Sequence, residues 1–168
     1  MRHAALVLAS LALVMLDGRA DDVKDQTPIP DDCPVTRPTD GEYKLPPPHK
    51  AIEPGGPIFL YGTDALFTQL YSDGRWRGIK SETGTRNKSA WFRKDAEWGE
   101  ERPYQLVVTA KRIDVDGPML TVPRVTNMIV GEKEEIAMLL MLELPERGCW
   151  EVTGNYKSDS LSFVVWVE

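Results

Sequence analysis

The sequence predicts an all-β, antiparallel fold, either a sandwich or a small barrel. Short runs rich in β-branched and aromatic residues recur at turn-punctuated intervals of roughly ten residues. No segment keeps apolar residues at a persuasive helical period. Nine of the 13 prolines crowd between Pro28 and Pro57, which leaves the rest of the chain largely free to form ladders.

The chain opens on Arg2 and His3, followed by an uncharged run from Ala4 to Leu16, with Gly18 and Ala20 at −3 and −1 of a cleavage after Ala20. A basic head, a short apolar body and a small-residue exit describe a secretory signal peptide over residues 1–20. The run is too short to span a bilayer, which takes about 20 apolar residues. An exported mature chain without a transmembrane segment is therefore expected. No cysteine follows the apolar run, so no lipid anchor is expected either.

Residues 21–56 form a proline-rich arm that includes Pro46-Pro47-Pro48. Proline lacks a backbone donor and fixes φ, so an extended, polyproline-like path over the domain surface is expected. Residues 57–168 carry the domain. Pro57 to Gly62 reads as a first strand. Leu66–Tyr71 and Trp76–Ile79 flank Ser72-Asp73-Gly74, a hairpin turn signal. Ser89–Arg93 is a short aromatic strand, and Gln105–Ile113 alternates between two faces. Met119–Val122 and Val125–Val130 are further strands. Ile136–Leu144 is apolar on both faces; it fits a central strand, although periodicity alone does not separate it from a buried helix. Cys149–Tyr156 and Leu161–Val167 flank a polar turn and make a closing hairpin near the centre of the fold, with Trp150 and Phe163 in the core.

Removing residues 1–20 leaves 148, enough for one domain. The formal charge of −6 suits solubility and opposes sequence-independent nucleic-acid binding, which needs Lys and Arg to neutralise phosphates. Two cysteines, Cys33 and Cys149, are expected to form a disulfide in an exported protein. It would pin the arm to the domain.

The ending Gly148-Cys149-Trp150-Glu151-Val152-Thr153-Gly154-Asn155-Tyr156, with Leu161-Ser162-Phe163-Val164-Val165-Trp166-Val167 after the turn, resembles the C-termini of uncharacterised bacterial exported proteins. Lys88–Arg93 and Leu106–Arg112 are similar to the same group. The resemblance implies an immunoglobulin-like antiparallel β-sandwich, and it implies no activity.

Catalytic chemistry finds little footing. A Ser–His–acid triad needs a histidine, and the mature chain has only His49, on the proline-rich arm. Acidic pairs such as Glu100-Glu101, Glu134-Glu135 and Asp114/Asp116 are the raw material of a glycosidase, yet they sit in turn-like contexts. Asp114-Val115-Asp116-Gly117 begins like a calcium loop and lacks its later ligands. Met138 and Met141 lie three apart in a strand and so face opposite sides, which makes them core filler rather than copper ligands. No metal or other cofactor is expected. Asn87-Lys88-Ser89 matches a glycosylation sequon.

The surface feature of interest runs from Asp73 to Glu101, where Trp76, Trp91 and Trp98 are interleaved with Arg75, Arg77, Arg86, Lys88, Arg93 and Lys94. An exposed tryptophan beside cations offers contact area to a sugar ring or a partner surface. Trp98, Trp76, Arg77, Arg93 and Lys94 are the expected ligand contacts, with Trp91 assigned to the core. The expected function is an exported, non-enzymatic accessory or binding domain for a protein or glycan. The alternatives are a carbohydrate-binding module using Trp76 and Trp98, and a small exported hydrolase using carboxylates.

Overall fold

The computed structural model describes residues 27–45, 55–94, 96–97, 99–101, 104–122, 124–130 and 135–168, with the side chains of Val130 and Glu135 left aside. Residues 1–20, His49, Glu134 and Trp98 lie outside that set. Ten strands follow in chain order: β1 (Ile58–Gly62), β2 (Phe67–Tyr71), β3 (Ile79–Ser81), β4 (Gly84–Phe92), β5 (Val107–Arg112), β6 (Leu120–Thr121), β7 (Thr126–Val130), β8 (Glu135–Leu144), β9 (Gly148–Tyr156) and β10 (Asp159–Val167). One sheet runs β1-β2-β4-β8-β7, with β3 also paired to β4; the second runs β10-β9-β5-β6. Every strand pair is antiparallel.

Alternation along the strands builds the core between the sheets. Trp91, Met138, Leu140, Leu142 and Leu144 of the first sheet meet Val108, Ala110, Trp150, Val152, Tyr156, Phe163 and Val165 of the second. Trp150 and Phe163 are buried, as the sequence predicts. Met138 is buried while Met141 is exposed, so the two thioethers occupy opposite faces of β8. The apolar run Ile136–Leu144 is a strand, paired on both sides by β4 and β7. A second cluster lies on the outer face of the first sheet, where Phe67, Phe92, Ala137 and Leu60 pack beneath Tyr43 and Leu45 of the arm.

The described part of the arm is not a loose surface tail. Cys33, Val35 and Thr36 are buried against β10, and Leu45 against β1, β2 and β4. The Thr36 N–H donates to the Val164 carbonyl at 2.9 Å, and the Thr36 hydroxyl accepts from the Val164 N–H at 2.9 Å. After a 3₁₀ turn at Pro38–Asp40, the Tyr43 N–H donates to the Leu60 carbonyl at 2.8 Å. The arm thus steps from the outer edge of one sheet to the outer edge of the other. Proline bars a continuous ladder but not these single pairings. Gly74, at φ 74°, is the residue on which Val35 rests; a Cβ there falls 2.6 Å from the Val35 Cβ.

Two expectations are corrected. Ser72-Asp73-Gly74 makes a turn but no hairpin. Beyond it the Trp76 N–H donates to the Trp166 carbonyl at 2.8 Å and the Trp166 N–H to the Gly74 carbonyl at 2.9 Å, so the chain is drawn to β10 before Ile79 joins β4. The closing hairpin is only half central: β9 lies between β10 and β5, whereas β10 is an edge strand. β10 reads as buried on both faces because Val164 and Trp166 lie beneath Cys33 and Val35.

Candidate functional site

The first sheet has a gap. β2 pairs with β4 only through Phe67↔Phe92 and Thr68↔Trp91, and β3 only from Ile79↔Arg86 to Ser81↔Gly84. Both lie on the edge of β4 opposite β8, so among the described residues Asn87–Ala90 have no strand partner there. Two local features hold the gap open. The Thr68 hydroxyl donates to the Ala90 carbonyl at 2.8 Å, ending the β2 pairing. Trp76 fills the inner side, its indole N–H donating to the Thr85 carbonyl at 3.2 Å.

The gap forms a cleft of about 100 Å³, lined chiefly by Gln69, Tyr71, Trp76, Asn87, Lys88 and Ser89. Trp76 is 9% exposed and forms the floor rather than a platform. Arg77 lies on the rim with its guanidinium carbon 5.0 Å from the centre of the Tyr71 ring, and it is paired with Asp73. Arg86 pairs with Glu143 at 3.1 Å. Lys88 is exposed and has no carboxylate within pairing distance among the described residues. Gln69, Tyr71 and Lys88 reach this opening from the outer face of the sheet, whereas Asn87 and Ser89, paired with Leu142 and Leu140, belong to the inner face. Such a set can hydrogen-bond a hydroxylated or anionic group and has no nucleophile–base pair.

Of the five expected contacts, Trp76 lines this cleft, and Arg77 lies over the ring of Tyr71, one of its lining residues. Arg93 and Lys94 follow the far end of β4 and are engaged there, Arg93 by Glu100 and Lys94 by Asp64 at 3.1 Å. Trp98 lies outside the described residues. Sequence reasoning missed Gln69 and Tyr71. They sit on β2 as ordinary alternating strand residues, and their approach to Lys88 exists only because β2 and β3 part.

Glu100, Glu101 and Asp114 are engaged by hydrogen bonds and ion pairs. Glu100 pairs with Arg93, and the Tyr156 hydroxyl donates to Glu101 at 2.6 Å. Burial pushes the Tyr156 hydroxyl well above its ordinary range, and the Glu101 carboxylate pushes it the same way. Hydrogen bonds from Thr83 and Ser81, assisted by Arg86, hold Glu143 below the usual carboxylate range. A general acid needs the opposite shift. Among the described residues no three His, Cys, Asp or Glu side chains are grouped to hold a metal ion, and no helix is long and apolar enough to cross a membrane.

Asp114 supplies a test of these charges. Arg112 donates to both of its oxygens, at 3.0 and 2.7 Å, and lowers its pKa; partial burial opposes this, and a backbone hydrogen bond from Cys149 adds to the lowering. A carboxylate with a depressed folded pKa contributes stability that is present above its unfolded value, about 3.9, and lost as pH falls through the folded one. Stability is therefore expected to drop below about pH 4, and Asp114→Asn to flatten that drop while lowering stability at pH 7. Urea titrations at a series of pH values check this; an acid limb unchanged by the substitution would contradict it.

Comparison with protein-family models, with curated proteins and with solved structures finds no match to this chain.

Proposed function

We propose that this chain is an exported, non-enzymatic binding domain of immunoglobulin-like topology, and that the cleft between β2 and β3 receives an anionic, hydrogen-bonding group of its ligand. The strand order supports the topology. The path β2-β4-β8-β7 has the order A-B-E-D of an immunoglobulin sandwich, and β10-β9-β5-β6 the order G-F-C-C′. The departures are the added strands β1 and β3 and a disulfide that ties the arm to β9 rather than joining the two sheets. The signal-like residues 1–20 support export, as does the buried Cys33–Cys149 disulfide, since such bonds persist in oxidising compartments.

The observation that supports the binding proposal is Lys88, which has no carboxylate partner among the described residues, beside Gln69 and Tyr71 in the split of the sheet. An exposed cation attracts a negative group, and polar neighbours such as Tyr71 can orient it. Two sources fit this chemistry: the carboxylate of an acidic sugar, or an Asp or Glu side chain on a partner protein. Arrays of acidic and neutral glycans, and of acidic peptides, distinguish them. Lys88→Glu is expected to weaken the hit about tenfold or more, with the loss steepest at low salt. Binding unaffected by Lys88→Glu and by Tyr71→Ala would place the ligand elsewhere. Equal binding of neutral and acidic probes would remove the anionic assignment.

A further inference from the structure

Among the described residues four of the five strand edges are capped or too short to recruit a strand, β3 being three residues long. β10 is capped by Thr36 at Val164 and by Gly74 and Trp76 at Trp166. β1 is capped by Tyr43 at Leu60 and by the Glu42↔Tyr61 bridge. β6 has two residues. β7 is different. Thr126-Asn127-Met128-Ile129-Val130 is five residues long, carries no charge and no proline, and pairs with β8 on one side only among the described residues. Open edges are ordinarily blunted by charge, proline, a bulge or a cover, because their unpaired N–H and C=O groups recruit other strands.

The side chains add to this. Met128 and Ile129 are 37% and 44% exposed on opposite faces of the strand, and Met141 on β8 is 45% exposed. Met128 and the half-buried Leu139 lie on the same outer face as Met141, so apolar surface continues from the edge inward. We infer that β7 is a self-association edge: a second copy of this chain pairs its own β7 antiparallel to the first, joining two six-stranded sheets across a two-fold axis.

Self-complementarity selects the occupant. In the register centred on Met128, Thr126 faces Val130 of the other copy, Asn127 faces Ile129 and the two Met128 residues meet. No like charges oppose one another, and the outer-face positions are all apolar or β-branched, as favourable cross-strand pairs require. In a chain of formal charge −6, two copies approach at least cost along an uncharged strip, and Thr126–Val130 is one. A two-fold contact of this kind closes on itself and stops at the dimer.

Sedimentation velocity on the full chain over a concentration series tests the assignment. The expected result is a reversible monomer–dimer equilibrium. Met128→Lys and Met128→Glu, at an exposed position, are each expected to weaken the dimer at least tenfold by opposing like charges at the two-fold axis. An equimolar mixture of the two is expected to restore it, with a salt dependence the wild type lacks. A merely damaged surface does not show that rescue. A wild type that stays monomeric overturns the inference whatever the variants do. So does a dimer that survives both substitutions, or a mixture that stays monomeric.

Discussion

Truncating Trp91 to alanine is expected to cost about 3–5 kcal/mol, a large share of the roughly 5–15 kcal/mol that holds a domain of this size together. Trp91 has no exposed surface and lies on β4, paired with Thr68 on one side and Met138 on the other. Its indole crosses the space between the sheets, with the ring centre 5.7 Å from that of Phe163. It reaches β9 because position 154 is glycine. A Cβ there falls 2.6 Å from Cη2 and 2.9 Å from Cε3 of the indole, and closer still to Cζ3. The ring cannot retreat, being enclosed on every side. Gly154→Ala is therefore expected to cost about 1–3 kcal/mol or more by overpacking. Because both changes act on one contact, Trp91→Leu and Gly154→Ala should combine to less than the sum of their separate costs. Among the described residues the indole N–H of Trp91 has no hydrogen-bond partner, so Trp91→Phe, which removes that donor, should cost much less than the alanine change. Denaturant titrations read all five values. An alanine cost below about 1 kcal/mol, or strict additivity in the double variant, would show that this interlock does not hold the sheets together.

The interlock indicates which parts of the fold were legible beforehand. Strands whose two faces meet different surroundings announce themselves by alternation, and Val107–Arg112, Gly148–Tyr156 and Asp159–Val167 fall within two residues of their sequence-based bounds. Trp150 and Phe163 follow from the same period. β4 was only half visible. Its second half is aromatic, but Gly84–Lys88 is polar because alternate residues there face solvent, and a short polar run looks like loop. The cleft was invisible for a different reason. It arises from where β2 stops pairing, which is set by the Thr68–Ala90 bond and by the pull of Trp166 on Trp76, both contacts across long sequence separations. The cations were legible as a cluster, but their division into committed Arg93 and Lys94 and uncommitted Lys88 depends on which carboxylates the fold brings near. Proline content said nothing of the burial of the described part of the arm, because Val35 and Leu45 fill hydrophobic sites without needing a ladder.

Removing the disulfide by the double change Cys33→Ala, Cys149→Ala is expected to cost about 2–5 kcal/mol. The two residues are 116 apart in sequence with Cα atoms 5.7 Å apart, so the bond closes a loop that nearly spans the domain and takes a large share of chain entropy from the unfolded state. The native state adds a local reason. Cys33, Val35, Cys149 and Trp166 form one buried cluster, and the two Thr36–Val164 hydrogen bonds lie just beyond it. With the tether cut, residues 27–36 are held to β10 by those contacts alone, and the outer edge of β10 should open more often than the rest of the sheet. Hydrogen exchange separates the two contributions. An entropic effect on the unfolded chain alone lowers the protection of the most stable core amides and leaves local openings unchanged. Release of the arm raises exchange at Val164 in particular, while amides in β8 report only the global loss. Uniform protection loss with no excess at Val164 would assign the stabilisation to the unfolded state. An excess at Val164 identifies the arm as the cap that keeps β10 from serving as a second open edge.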